Sequence, residues 1–439
     1  MKDTPINYTV VKQKIKESGI KDIGKASIRE MKRLINEIEA ETGKKFVRME
    51  MGAPGLPPVQ IGVDAQITAL KKGIAAIYPD VEGIPELKME MSRFCKNFLD
   101  IGVSPESCIP TVGSMQGGFS VFMTFQHLQK EKDTTLFIDP GFPVQKQQHR
   151  ILGAKFATFD VYNFRGEKLR DKLESYLSKG NIHSIIYSNP NNPSWICFTD
   201  RELRIIAELA KKYDAIVIED LAYFGMDFRQ DISTPGKPPY QATIAKYTDK
   251  YVLLISSSKA FSYAGERLGV MVISDSLFNS NYPDLVPYFG TDSVGRAIVY
   301  GAVYALSSGT SHSAQYAMAA ILKSCNDGTY NYINDVKDYA EKAHIMKKLF
   351  VDNGFKIVYD KDEDKELSDG FYFTICYPGF TGEQLLEEFL YYGISAISLA
   401  ITGSERLEGI RACVSHVNRN QFQDLEYRLK TFHEQHKGE

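Results

Sequence analysis

The sequence lacks a CxxC pair, a long apolar run and any strong excess of one charge. Its six cysteines (Cys95, Cys108, Cys197, Cys325, Cys376, Cys413) are scattered, with neither disulfide-framework nor zinc spacing. They read as reduced, mostly core thiols of a cytoplasmic protein. The longest apolar-looking stretch, residues 297–306, falls short of the roughly 18–20 residues a membrane helix needs. The Lys- and Asp-rich start has no signal-peptide core, so no targeting segment is expected. A net charge of −3 gives no electrostatic reason to expect nucleic acid or an anionic membrane as partner. Internal repeats and low-complexity linkers are missing too. Tryptophan is nearly so, with Trp195 alone against 25 Tyr and 25 Phe.

What remains is an ordinary globular composition, 43% apolar and 24% charged. At 439 residues the chain exceeds what one core usually serves, so two unequal domains are expected. Residues 27–43 form an amphipathic helix, with Ser27 and Glu30 as a capping box, Ile28, Met31, Ile35 and Ile38 at helical spacing, and Gly43 to end it. Residues 51–58, Met-Gly-Ala-Pro-Gly-Leu-Pro-Pro, predict a loop. Between about 65 and 275, helical patterns alternate with short apolar runs at 135–138, 155–161, 184–187, 215–218, 252–255 and 268–273. Thr199 and Glu202 make another capping box, and Leu203, Ile206 and Ala210 share one face of the helix it opens. This alternation predicts an α/β domain, its mostly parallel sheet covered by helices on both sides. Ligands of such folds sit beyond the carboxyl ends of the strands. After about residue 315, helices at 314–326 and 332–353, strands at 370–376 and 410–414 and a helix from about Thr381 predict a smaller α+β domain. The expected division is 51–312 for the large domain, with 1–50 and 313–439 together forming the small one. The charged run 360–366 reads as a solvated loop.

Chemistry concentrates just after the predicted strands. Ser256-Ser-Ser-Lys259 follows the run 252–255, with Gly265, Arg267 and Gly269 close behind. One lysine among 52 basic residues means little, and serines at a strand end are usually turn residues. Together, however, hydroxyls and a guanidinium suit a phosphate, and the amine is a nucleophile towards an aldehyde. Asp220 ends another buried run and has two readings. It is either a helix N-cap or a carboxylate that keeps a pyridine nitrogen protonated. Asn189-Pro-Asn-Asn-Pro193 contains ordinary turn formers. Val112-Gly-Ser-Met-Gln-Gly-Gly118 precedes a predicted helix, whose N-terminus could bind phosphate.

In order and spacing these segments resemble the class I/II aminotransferases, the fold type I enzymes that use pyridoxal 5′-phosphate (PLP). The resemblance runs from about residue 27 to 415, and Ser-Ser-Ser-Lys…Arg-Leu-Gly is its specific part. It implies that Lys259 holds PLP as a Schiff base and later shuttles a proton between the substrate Cα and cofactor C4′. Asp220 would pair with the pyridinium nitrogen, and Tyr223 and Asn192 with the phenolic oxygen. Phe142 would stack on the ring. Ser256, Ser258, Arg267, the backbone at Ser114 and Met115, and the side chain of Gln116 would hold the phosphate. Tyr78 matches a tyrosine that reaches the phosphate of a neighbouring subunit, which implies a homodimer with shared active sites; its plain alternative is a turn or core tyrosine. Arg411 matches the clamp for the substrate α-carboxylate, with Arg406 as a competitor, and Gly52 matches a loop glycine facing the same group.

The chain departs from the family where Asn-Pro usually continues Thr-Gly. Ser194 and Trp195 stand there, so Trp195 either lines the substrate site or packs. The family's Pro-Gly-containing loop is replaced by Ser398-Leu-Ala-Ile-Thr-Gly403. The resemblance implies an aminotransferase moving an amino group between an amino acid and a 2-oxo acid. A PLP-dependent lyase or decarboxylase is the near alternative, because the cofactor contacts barely distinguish them. A PLP-binding transcriptional regulator would need a DNA-binding module, for which residues 1–26 are too short.

Overall fold

Seven strands make the central sheet of the larger of two compact units, Leu56–Asn191 with Cys197–Val336. A computed structural model describes residues 4–438. In chain order the strands are β1 (Cys108–Val112), β2 (Thr134–Asp139), β3 (Lys155–Asp160), β4 (Ile182–Ser188), β5 (Ile216–Leu221), β6 (Tyr251–Ser256) and β7 (Leu268–Ile273). Their spatial order is β1-β7-β6-β5-β4-β2-β3. Pairing is parallel from β6 through β5, β4 and β2 to β3, whereas β7 runs antiparallel to both β1 and β6. Strands β4, β5, β6 and β7 are buried at every position, as continuous apolar runs covered on both faces should be. One face packs Val121, Phe122 and Phe125 against Ile218, Leu254 and Met271.

Six strands fall on the predicted runs, with ends shifted by up to three residues. The seventh, β1, was not predicted. It contains Pro110 and lies at the sheet edge, where a missing N–H is tolerated, so its pattern is not that of an interior strand. The segment 113–118, expected just before a helix, forms the first turns of helix α1 (Gly113–Phe125). Helices α2 (Pro143–Leu152) and α3 (Asp200–Lys212) follow β2 and β4. The Thr199–Glu202 capping box opens α3 with both reciprocal bonds made.

The smaller unit comprises the N-terminal residues through Gly55, Asn192–Ile196, and the chain from Lys337 onward. Its sheet holds β8 (Lys356–Ile357), β9 (Tyr372–Cys376), β10 (Ile397–Ser398) and β11 (Ile410–Cys413), in the antiparallel order β10-β11-β9-β8. The helix Ile28–Thr42 begins with the Ser27–Glu30 capping box and ends at Gly43 in the left-handed region. Residues 313–336, expected in the small domain, belong to the larger unit. The helix His312–Asn326 packs there: Gln315 accepts a hydrogen bond from the Ile84 N–H at 2.9 Å, and Ile321 fills the space beside Gly62. The charged run 360–366 is not a plain solvated loop. It folds as a small hairpin pairing Lys361 with Glu366 and Asp362 with Lys365, and Asp362 is buried. Among the described residues, no helix is long and apolar enough to cross a membrane.

Candidate active site

Strand register brings the chemistry of the larger unit to one sheet edge. Ser188 pairs with Asp220, Asp220 with Leu254, and Ser256 with Gly269, which in turn faces Thr111. The ends of β4, β5, β6 and β1 are therefore level with the start of β7.

Asp220 is buried, and its partners are neutral. Gln145 Nε2 donates to Oδ2 at 2.9 Å and the Ala222 N–H to Oδ1 at 3.1 Å. Burial without a compensating cation pushes its carboxyl up to about 6. Gln145 lies in the first turn of α2, one turn beyond the half-buried Phe142, whose carbonyl accepts its N–H. The start of α2 thus places Gln145 on Asp220 with Phe142 beside it. Tyr223 is buried just after β5.

Beyond β6, Ser256 Oγ accepts the Ser258 N–H at 3.1 Å and caps the one-turn helix Ser257–Ala260. That turn presents a half-buried Lys259, and Ser257 Oγ ties it to β7 through the Leu268 carbonyl at 2.6 Å. Arg267 adopts a left-handed backbone (φ +52°), and Nη1 donates to the Ala264 carbonyl at 2.8 Å. No carboxylate pairs with it among the described residues. Its Nη2 lies 2.8 Å from where a Cβ on Gly113 would be, and a Cβ on Gly269 would fall 2.8 Å from the Ser114 nitrogen. Glycine at 113 and 269 therefore lets the guanidinium and the N-terminus of α1 converge. No side chain caps that terminus, which leaves N–H groups and the positive end of the helix dipole for an anion.

Ser114 is half-buried and Met115 exposed at this terminus. The Gln116 side chain points elsewhere, accepting the Val112 N–H at 2.7 Å and donating to Ser307 Oγ at 2.5 Å. Tyr78 is 90% exposed, so it is not a core tyrosine. The donors of this unit suit a phosphorylated pyridine: hydroxyls, a guanidinium and an open helix end for the dianion, a cation-free carboxylate for a ring N–H, and an amine for an aldehyde.

The smaller unit holds the remaining predicted residues. Arg411, on β11, is 2% exposed. Nη1 donates to Asn192 Oδ1 at 3.1 Å and Nη2 to the Glu50 carbonyl at 2.7 Å, while Nε is buried without a partner. The guanidinium lies 4.3 Å from the centroid of Tyr372. Among the described residues no anion faces this buried guanidinium, and it has a donor to spare that could serve a carboxylate. Arg406, the competitor, pairs with Glu408 at 2.6 Å. A Cβ at Gly52 would fall 2.1 Å from Tyr372 Oη, so glycine is obligatory there. Trp195 is 1% exposed and adopts φ +65°, a conformation that suits the glycine usual at this position and costs about 1–3 kcal/mol for a bulky residue.

Gln145 and Tyr372 were not visible as site residues in the sequence. Gln145 offers only its one-turn spacing from Phe142. Tyr372 reaches Arg411 through the pairing of β9 with β11, which no local pattern discloses. Glu219, beside Asp220, is another buried carboxylate the sequence did not single out. Thr243, Asn189, Tyr187 and the Ile244 N–H donate to it, and burial lifts it to about 7.

Comparison with known proteins finds aminotransferases in both sequence and fold. The glutamate-pyruvate aminotransferase of Escherichia coli is 29% identical over 245 residues, 54% of this chain and 56% of that protein. The (5-formylfuran-3-yl)methyl phosphate transaminase of Methanocaldococcus jannaschii is 29% identical over 249 residues, 56% of this chain and 60% of that one. These matches thus span less than two thirds of the relatives' own length. In fold, the aspartate aminotransferase of Thermotoga maritima superposes with a TM-score of 0.74 at 19% identity, covering 96% of this chain and 99% of that one. The alanine aminotransferase of Pyrococcus furiosus gives 0.75 at 19% identity, covering 93% and 97%. The sequence pattern of the class I and II aminotransferases matches residues 44–362, a stretch that includes the Asp220 strand end, Lys259 and Arg267, and the chain belongs to that family.

Proposed function

We propose that this chain is a PLP-dependent aminotransferase that moves an amino group between an amino acid and a 2-oxo acid. The observation that carries the reading is the buried Asp220, partnered only by neutral groups, on the sheet edge that also presents Lys259 and Arg267. PLP, when bound, supplies an electron sink for the charge left when a bond at the substrate Cα breaks. In this reading Asp220 holds the proton on the ring nitrogen, and Gln145 keeps its carboxylate aligned. Lys259 anchors the cofactor and then moves the proton at the substrate Cα. Ser256, Ser258, Arg267 and the backbone of α1 at Ser114 and Met115 hold the phosphate. Gln116 contributes by fixing that helix start. Tyr223 and Asn192 serve the phenolic oxygen, Phe142 covers the ring face, and Arg411 with Gly52 receives the α-carboxylate.

A cytoplasmic homodimer completes the proposal. Its support is Tyr78, 90% exposed beside Ile77 at 55%, an apolar pair suited to packing on a second copy, with a hydroxyl that could donate to that copy's phosphate. The test adds single amino acids to the PLP-loaded protein and follows the visible cofactor band. Loss of the band, restored by a 2-oxo acid, is expected. Release of pyruvate and ammonia without an acceptor would assign the chain to the eliminating lyases instead.

A further inference from the structure

Two aromatic side chains of the smaller unit, Tyr372 and Trp195, line up behind the Arg411 guanidinium. The Tyr372 ring is held by several neighbours, the Phe371 ring at 5.0 Å among them. Its face carries the guanidinium at 4.3 Å, and its hydroxyl occupies the space a Cβ would take at Gly52. A further contact is Trp195, whose ring meets it at 6.1 Å and 70°. Trp195 is itself pinned. Nε1 donates to Ser368 Oγ at 3.1 Å, and the indole fills the place of a side chain at Gly370, with Cε2 2.2 Å from the Cβ position. A bulky residue kept at φ +65° needs surroundings that over-determine it, and Ser368, Gly370 and Tyr372 provide them. The strained residue therefore sits within a continuous line of contact, from Ser368 through Trp195 and Tyr372 to Arg411.

We propose that Trp195, acting through Tyr372, is a positioning residue that sets the Arg411 guanidinium for the α-carboxylate of the amino acid. The proposal rests on the reading of Arg411 as the carboxylate clamp. Arg411 has only two polar anchors, Asn192 and the Glu50 carbonyl, both at the terminal nitrogens. They hold the edge of the guanidinium, while the Tyr372 ring backs its face. Trp195 packs against that ring and helps to stop it from swinging away from Gly52, so that the face stays backed. The indole thus contributes to recognition of a carboxylate without touching it.

The test uses the PLP-loaded protein and two probes read by the shift of the cofactor band. One is 2-methylalanine, which has no Cα hydrogen to lose. The other is isopropylamine, the same molecule without its carboxylate. In Trp195→Gly and Tyr372→Leu the affinity for 2-methylalanine is expected to fall about tenfold, the scale of one desolvated cation–π contact. Isopropylamine should bind as in the wild type, and Tyr372→Phe, which keeps the ring, should stay within about twofold of it. If Trp195→Gly does not fold, Trp195→Phe, too short to span from Gly370 to Tyr372, should show a several-fold selective loss. Equal weakening of both probes would reduce Trp195 to a packing residue and overturn the proposal, as would wild-type affinities in every Trp195 and Tyr372 variant. Arg411→Lys separates the two levels. If it too leaves 2-methylalanine binding unchanged, the clamp reading itself fails. If it alone weakens binding, the clamp stands and the Trp195 support does not.

Discussion

Each principal site residue carries a local imbalance that a ligand would resolve. Among the described residues, Asp220 is a buried carboxylate without a cation and Arg411 a buried guanidinium without an anion, while the exposed Arg267 lies beside an uncapped helix end. Structural ion pairs of this protein look different. Lys146 is closed on Asp139 at 2.6 Å, and Arg165 on Glu202 at 2.7 Å. Such contrast is expected where charge is kept for a substrate, because an unpaired buried charge is otherwise costly. Arg411→Lys keeps the charge but loses the planar fork and its stacking on Tyr372. It should raise KM for the amino acid about 10- to 100-fold with PLP affinity unchanged. Steady-state kinetics alongside a PLP titration check this, and equal loss in both would place Arg411 in the cofactor site.

At the level of elements, the legible parts were those written in local patterns. Both capping boxes, the left-handed Gly43 terminus and six strands of the larger sheet follow from short-range rules of polarity and spacing. Strand β1 was hidden by Pro110, and the buried Asp362 by the charges around it. The site was legible where it lies in continuous segments, as from Ser256 to Arg267. It was opaque where pairing of distant strands makes it, as with Tyr372 on Arg411 or Gly113 against Arg267. Gly113 gives a sharp test at this scale. It combines φ +64° with a Cβ position 2.8 Å from Arg267 Nη2, so Gly113→Ala strains the helix start and displaces the guanidinium together. PLP affinity should fall by about tenfold or more, the worth of a charge-assisted contact to phosphate. Unchanged affinity in a fluorescence or absorbance titration would separate α1 from the phosphate site.

For the whole molecule, the buried carboxylates couple the site to stability. Burial raises Asp220 to about 6 and Glu219 to about 7, above the values of the unfolded chain. The folded state therefore keeps these protons to higher pH than the unfolded state does. Their contribution is full below about pH 4 and is lost as pH rises through 6 and 7. The cofactor-free protein should lose on the order of 3 kcal/mol of stability between pH 5 and 8, measured by urea unfolding. Asp220→Asn should remove Asp220's share of that decline, because an amide does not titrate, and the Gln145 amide can turn to accept from the new side chain. PLP loading should flatten it too, since a ring N–H⁺ beside Asp220 favours the ionised carboxylate. A slope that neither change alters would disconnect Asp220 from the cofactor. The most direct measurement concerns Lys259. Incubating the protein with PLP, reducing with borohydride and mapping the peptides by mass should place one pyridoxyl-phosphate adduct on Lys259, absent from Lys259→Ala together with the visible band. An adduct on another lysine, or none at all, would contradict the account.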